Sequence, residues 1–204
     1  MLWASSLRMQ TNRLMIVAMT DQGAQAKKPR IATVSLAGCF GCHMSLMDLD
    51  ERLFTLFDIV EFDRSPLTDI KHCGPCDVGL IEGGLCNAEN VHVLREFRAN
   101  CNVLVAVGAC AINGGLPAQR NSLDIGRVLT DVYRVRAGLA NNSEVPNDPE
   151  LPLPLAKVHA IHDVVHVDHC LPGCPPGADA IWAFLTSLLN DGRPLLDKQL
   201  IRYD

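Results

Sequence analysis

An α/β domain built on a doubly wound, mostly parallel sheet is the fold class this sequence predicts. Three observations predict it. Short apolar runs rich in β-branched residues recur along the chain, stretches of helical spacing separate them, and several runs end at glycine. At 204 residues the chain suits one ordinary domain with a real core. With 48% hydrophobic and 20% charged residues it is a folding chain rather than a disordered one.

Residues 1–29 are expected to form an N-terminal arm or helix, and 30–204 the folded domain. The run Arg30-Ile-Ala-Thr-Val-Ser-Leu36 predicts a buried first strand, stopped by Gly38-Cys-Phe-Gly-Cys42. Leu46, Leu49, Leu53, Leu56 and Phe57 then recur at helical spacing, so one helix is expected from Ser45, its cap, to Phe57. Asp58 to Phe62 reads as a second strand and Asp77 to Ile81 as a third. Asn87 or Asn90 starts a helix through Ala99. Cys101 to Val107 is a fourth strand, running into Gly108-Ala-Cys110. A short helix is expected around Asp124 to Tyr133. The prolines at 146, 149, 152 and 154 make Ala140 to Ala156 a loop. Val164 to Val167 is read as the last strand, and a helix from Gly177 to Leu189 closes the core.

Composition excludes several function classes. The net charge of −5, the absence of a basic stripe and an aromatic content of 5% argue against nucleic acid as a partner. No apolar run approaches the roughly 20 residues that cross a bilayer, so no direct membrane insertion is expected. Leu14 to Met19 is too short for the apolar core of a secretory signal, and there is no twin-arginine pair. A cytoplasmic protein is expected.

Nine cysteines is a high count, and an odd one, in a compartment that keeps thiols reduced. Metal binding explains the excess better than a disulfide framework. Cys39 and Cys42 follow the first strand, Cys110 the fourth and Cys174 the last. Ligands of doubly wound sheets sit outside the carboxyl ends of the strands, so three segments deliver four thiols to one edge. Four thiolates suit a 4Fe–4S cluster or a zinc ion. Gly38, Gly41 and Gly173 directly precede cysteines and Gly108 sits two before Cys110. They would let backbone N–H groups approach cluster sulfide. Structural zinc sites usually show two close cysteine pairs, whereas here the last two ligands are single and distant.

The motifs Leu-Ala-Gly-Cys39-Phe-Gly-Cys42-His-Met-Ser45, Glu82-Gly-Gly-Leu-Cys-Asn87, Gly108-Ala-Cys-Ala-Ile-Asn-Gly-Gly115 and Gly173-Cys-Pro-Pro176 resemble the small subunit of nickel–iron hydrogenases. The resemblance implies a flavodoxin-like iron–sulfur domain over 30–204. It also implies one 4Fe–4S cluster on Cys39, Cys42, Cys110 and Cys174, close to a nickel–iron site in a separate large subunit. The twin-arginine signal and second cluster domain of membrane-bound members are not found. The chain therefore looks like the small subunit of soluble, cytoplasmic, NAD-reducing hydrogenases, which pair with a diaphorase module carrying flavin and further iron–sulfur clusters. The cluster-bearing subunit of respiratory complex I is similar around Gly-Cys-Pro-Pro, but carries two adjacent cysteines where Phe40 and Gly41 separate Cys39 from Cys42.

No general acid–base or nucleophilic constellation is evident, so no catalytic residue is expected and the enzyme's catalytic metal lies in a partner chain. No phosphate-cradling loop stands out, so FMN is not expected in this chain. Cys73-Gly-Pro-Cys76 spells a redox-active pair but precedes a strand instead of a helix, and reads as a solvent-side pair. Cys86 and Cys170 lie near the cysteine motifs, and Cys101 is read as packed. His43 and His169 are candidate hydrogen-bond donors near ligand cysteines, and Glu82 is expected in a structural hydrogen bond. The expected role is relay of electrons between the large subunit and the diaphorase. A quinone-coupled relay of the complex I type and a zinc-stabilised interaction module are the alternatives.

Overall fold

The computed structural model describes residues 27–201, so nearly all of the expected N-terminal arm, 1–29, lies outside the described residues. Five parallel strands form the main sheet. They are β1 (Arg30–Ser35), β2 (Glu61–Phe62), β3 (Cys76–Glu82), β5 (Cys101–Val107) and β7 (His169–Leu171), in the order β2-β1-β3-β5-β7. Counting only those five, the order is that of a flavodoxin-like doubly wound sheet, whose direction of winding reverses between β1 and β3. A separate antiparallel pair joins β4 (Leu85–Asn87) to β6 (Pro154–His159).

Period-two alternation explains why both faces are covered. Ile31, Val78, Leu80, Val105 and Val107 point to one face, where α1 (Gly41–Met47), α2 (Glu51–Ile59) and α6 (Ala178–Asp191) pack Leu46, Leu49, Leu56, Phe184, Leu185 and Leu188 onto them. Ala32, Val34, Ile81, Leu104 and Ala106 point to the other, beneath Val93, Leu94 and Phe97 of α3 (Ala88–Asn100). Phe97 is fully buried, and the guanidinium of Arg64 lies over its ring. Phe97→Ala should cost about 3–5 kcal/mol. For a chain of this size that lowers the melting temperature by roughly 10 °C, which thermal unfolding by circular dichroism would read.

Several expected elements are corrected. The expected helix from Ser45 to Phe57 is two helices, because the backbone turns at Asp50, whose φ is 51°. Ser45 is not its cap: it lies inside α1 and donates its Oγ hydrogen to the Pro176 carbonyl at 2.5 Å. The strand expected over Asp58 to Phe62 shrinks to two residues, since α2 runs on to Ile59. The loop expected to Ala156 ends earlier, at Pro154, where β6 begins to pair with β4. The last strand is His169–Leu171 and not Val164 to Val167. Asp168 fixes that register: its carboxylate accepts from Leu104 N–H at 2.8 Å and its own N–H donates to the Leu104 carbonyl. Among the described residues two further α-helices are α4 (Gly108–Asn113) and α5 (Ile125–Thr130), and Asp124 caps the latter by accepting the Arg127 N–H.

Candidate metal centre

Each of the three cysteine-bearing loops leaves the carboxyl end of a parallel strand. Cys39 and Cys42 follow β1, with Cys42 in the first turn of α1. Cys110 lies in α4, which starts directly at the end of β5, and Cys174 follows β7. Two hydrogen bonds tie the loops together, Ala109 N–H to the Gly173 carbonyl at 2.8 Å and Ser45 Oγ to that of Pro176. The thiols therefore gather beside the β1–β3 reversal, where doubly wound sheets bind their ligands.

Their mutual influence is electrostatic as well as geometric. Burial pushes the Cys42 thiol up to about 12, and the charges of Glu82, Cys110, Cys39 and Cys174 add to the rise. Cys110 is also raised, first by burial and then by Cys174 and Cys39, against a backbone hydrogen bond from Leu116 that lowers it. The opposition to ionisation at Cys42 and Cys110 suits a group carrying compensating positive charge.

A single ion does not fit them well. Two thiolates on one tetrahedral zinc at about 2.3 Å lie only about 3.8 Å apart. Among the described residues, three ligand atoms within 4.8 Å of one another occur at Asp63, Cys73 and Cys76, not among these four cysteines. The wider spacing suits a multi-iron cluster. Gly108 shows how tightly the cradle is drawn: its φ is +80°, and a Cβ there would stand 2.4 Å from Cys42 Sγ.

Behind Cys42 lies a buried polar chain. Glu82, the last residue of β3, accepts the Cys42 N–H through Oε1 at 3.3 Å and the His43 N–H through Oε2 at 3.0 Å. The same Oε2 meets His43 Nδ1, while His43 Nε2 lies 3.0 Å from Thr33 Oγ1, itself 2.8 Å from Ser65 Oγ. Phe40 stacks on the imidazole at 4.8 Å between centroids. Glu82 thus makes the structural hydrogen bonds expected of it and also faces the site. Thr33 and Ser65 were not read from the sequence, for nothing in their spacing links them to the cysteines.

The other candidates separate from the centre. His169 packs edge-on against Phe184. Cys86 donates to Asn90 Oδ1 at 3.3 Å, at the start of α3. Cys170 is exposed on β7, and Cys101 is packed as expected. The Cys73 and Cys76 pair is not on the solvent side: both thiols are buried, because the loop before β3 folds under α3. Cys39 and Cys174, by contrast, are exposed, as are Met44 (51%), shortly after Cys42, and Leu116 (66%), shortly after Cys110.

Comparison with known proteins agrees with this geometry. Residues 39–188 match the family described as NADH ubiquinone oxidoreductase, 20 Kd subunit. The chain is 43% identical over 181 residues to the delta chain of the NAD-reducing hydrogenase HoxS of Cupriavidus necator, covering 87% of this chain and 86% of that one. It is 34% identical over 177 residues to one chain of the F420-non-reducing hydrogenase of Methanococcus voltae, covering 86% of this chain and 61% of that longer one. A crystal structure of an NAD+-reducing [NiFe]-hydrogenase in the H2-reduced state contains a chain that superposes with a TM-score of 0.85 at 62% identity. The match covers 87% of this chain and 100% of that one. No described helix is long and apolar enough to cross a membrane.

Proposed function

The chain belongs to the NADH ubiquinone oxidoreductase 20 Kd subunit family, and from that premise we propose that it is the electron-relay subunit of a soluble, cytoplasmic, NAD-reducing nickel–iron hydrogenase. Cys39, Cys42, Cys110 and Cys174 would hold one 4Fe–4S cluster. One observation carries the reading: three loops at the carboxyl ends of β1, β5 and β7 bring those four thiols together at the reversal of the sheet. The relatives named for NAD-reducing hydrogenases support the enzyme class. The partners are then a large subunit carrying the nickel–iron site and a diaphorase module carrying flavin, further clusters and the NAD site.

When bound, the cluster supplies one-electron chemistry. The chain's own residues do the rest. The four cysteines would hold it where Cys39 and Cys174 are exposed, Gly108 leaves room for the Cys42 sulfur, and Phe40 stacks on the buried His43 next to Cys42. Glu82 fixes the first turn of α1 by holding two of its N–H groups. The exposed Cys39 and Cys174 open toward the surface, as a relay that hands electrons to another chain requires. Met44 and Leu116 supply apolar surface for the large subunit to cover.

The test is direct. The purified complex should be brown, contain iron, show a reduced-cluster EPR signal and couple H2 oxidation to NAD+ reduction. Absence of both iron and signal would sink the proposal. A second reading, the quinone-coupled relay, has the family's description in its favour. Co-purification with a membrane arm in place of a diaphorase would decide for it.

Glu82 offers a finer prediction. Glu82→Gln keeps the acceptor oxygen for Cys42 N–H but removes a negative charge beside the thiols. Less opposing charge favours the reduced cluster, so its potential should rise. A charge several ångströms away contributes about 1–2 kcal/mol at an effective dielectric constant near 20. For one electron that corresponds to roughly 40–90 mV. An EPR-monitored redox titration measures it, and an unchanged potential would deny Glu82 this role.

A further inference from the structure

At the opposite end of the sheet from the four-cysteine centre, the amino-terminal ends of β1, β3 and β5 enclose a second group of ligand atoms. Cys73-Gly-Pro-Cys76 leads into β3, Asp63 follows β2, and Cys101 opens β5. Asp63, Cys73 and Cys76 are 2%, 6% and 3% exposed, and one ligand atom from each lies within 4.8 Å of the other two. Cys101 Sγ is 3.9 Å from Cys73 Sγ. We propose that Asp63, Cys73 and Cys76 form a second, structural metal site that takes a thiophilic divalent cation, zinc, with Cys101 as the fourth ligand.

Four features carry the inference. The first is spacing: 3.9 Å between two sulfurs is close to the roughly 3.8 Å that tetrahedral zinc imposes at Zn–S distances of about 2.3 Å. The C-x-x-C pair is also the commonest local pattern of thiolate zinc sites. The second is the carboxylate's support. Asp63 Oδ1 accepts N–H groups from Arg64 at 2.8 Å and Gly74 at 2.9 Å, and Arg30 grips Oδ2. Ligating carboxylates are characteristically held in this way by hydrogen bonds of their own.

The third is charge. Three thiolates and a carboxylate carry four negative charges, and a divalent cation with the Arg30 guanidinium offsets three of them. The buried cation is thus paired on every side instead of being left as an uncompensated charge. The fourth is access for the carboxylate: a Cβ on Gly74 would stand 3.1 Å from Asp63 Oδ2, so glycine in the C-x-x-C turn lets the acid reach the thiols. Hard cations are poor candidates, since calcium takes six to eight oxygens and magnesium an oxygen octahedron. Closed and buried, the site would pin the loop before β3 to β2 and β5 and take no part in electron relay.

Metal analysis of the intact complex, loaded with iron and dialysed against a weak chelator, tests this. One zinc per chain is expected in the unaltered protein and in Cys170→Ser. Cys76→Ser should lose that zinc while keeping its iron and its reduced-cluster EPR signal. Asp63→Asn should weaken zinc retention at least about 10-fold in chelator competition. Where Cys76→Ser does not fold, zinc-edge X-ray absorption of the unaltered complex replaces it, with sulfur neighbours at about 2.3 Å expected. Zinc unchanged by Cys76→Ser, a zinc shell without sulfur, no zinc at all, or Cys73 recovered in a disulfide would each overturn the proposal.

Discussion

Cys110→Ala is expected to abolish H2-dependent NAD+ reduction, with a loss of at least about 100-fold, the upper end of what removing even an outer partner of a metal ligand costs. Cys110 is the one cysteine of α4, flanked by Ala109 and Ala111, so no neighbouring thiol can slide into its place. Its rotation is restricted as well: the sulfur stands close to Gly115, where a Cβ would lie 2.9 Å from it. The variant should fold, because α4 keeps its Gly114 terminus and the buried Ala111 contact with the core. Iron per chain should fall, and the EPR signal of the reduced protein should vanish or change to that of a cluster short of one ligand. Full iron with an unaltered spectrum would remove Cys110 from the ligand set.

Gly108→Ala should come close to the same result by a different route. A side chain at φ +80° is strained by about 1–3 kcal/mol. Its Cβ would also stand 2.4 Å from Cys42 Sγ and 3.4 Å from the Gly173 carbonyl oxygen. Overpacking adds about 1–3 kcal/mol. Either the thiol moves off or β5 and α4 part, and both outcomes spoil the cradle. The melting temperature should fall by roughly 10 °C and cluster occupancy with it. Gly177→Ala is the control. A Cβ at that position meets nothing within 4 Å, so the change should stay within about 1 kcal/mol, the cost of altering a cap. Differential scanning calorimetry and iron analysis on the two variants would separate a local clash from general glycine sensitivity.

How much of this was legible in the sequence depended on whether the signal was local. β5 could be read end to end, because an apolar β-branched run between Asn100 and Gly108 has no competing interpretation. The break between α1 and α2 could not. Apolar spacing carries smoothly across Asp48 to Asp50, and only the backbone reversal at Asp50 divides the helices. α4 was hidden for the opposite reason, since six residues between glycines carry too few apolar positions to show a period. The last strand was misplaced because Val164 to Val167 has the better strand composition. A single carboxylate, Asp168, binding Leu104 N–H sets the pairing instead.

Cys39, Cys42 and Cys110 are legible because they follow β1 and β5, whose ends can be read, and Cys174 because it lies beyond the last strand whether that is drawn at Val164 to Val167 or at His169–Leu171. The chain Glu82–His43–Thr33–Ser65 was only half legible: Glu82 and His43 lie in visible motifs, but their partners meet them through the fold. The buried triad at the other end of the sheet was not legible as a set. Asp63 and Cys73 belong to one loop whose path no periodicity describes, and Cys76 opens the strand it runs into.

The bonds from Ala109 to Gly173 and from Ser45 to Pro176 have a consequence for biosynthesis. They make the cradle a joint product of residues spread from Ser45 to Pro176. A ribosome has to release Gly173 and Pro176 before they can lock the earlier loops in position. On the proposed reading, iron can settle in the cradle only once β7 and the loop after it have emerged, and a message truncated ahead of β7 leaves the cradle unclosed.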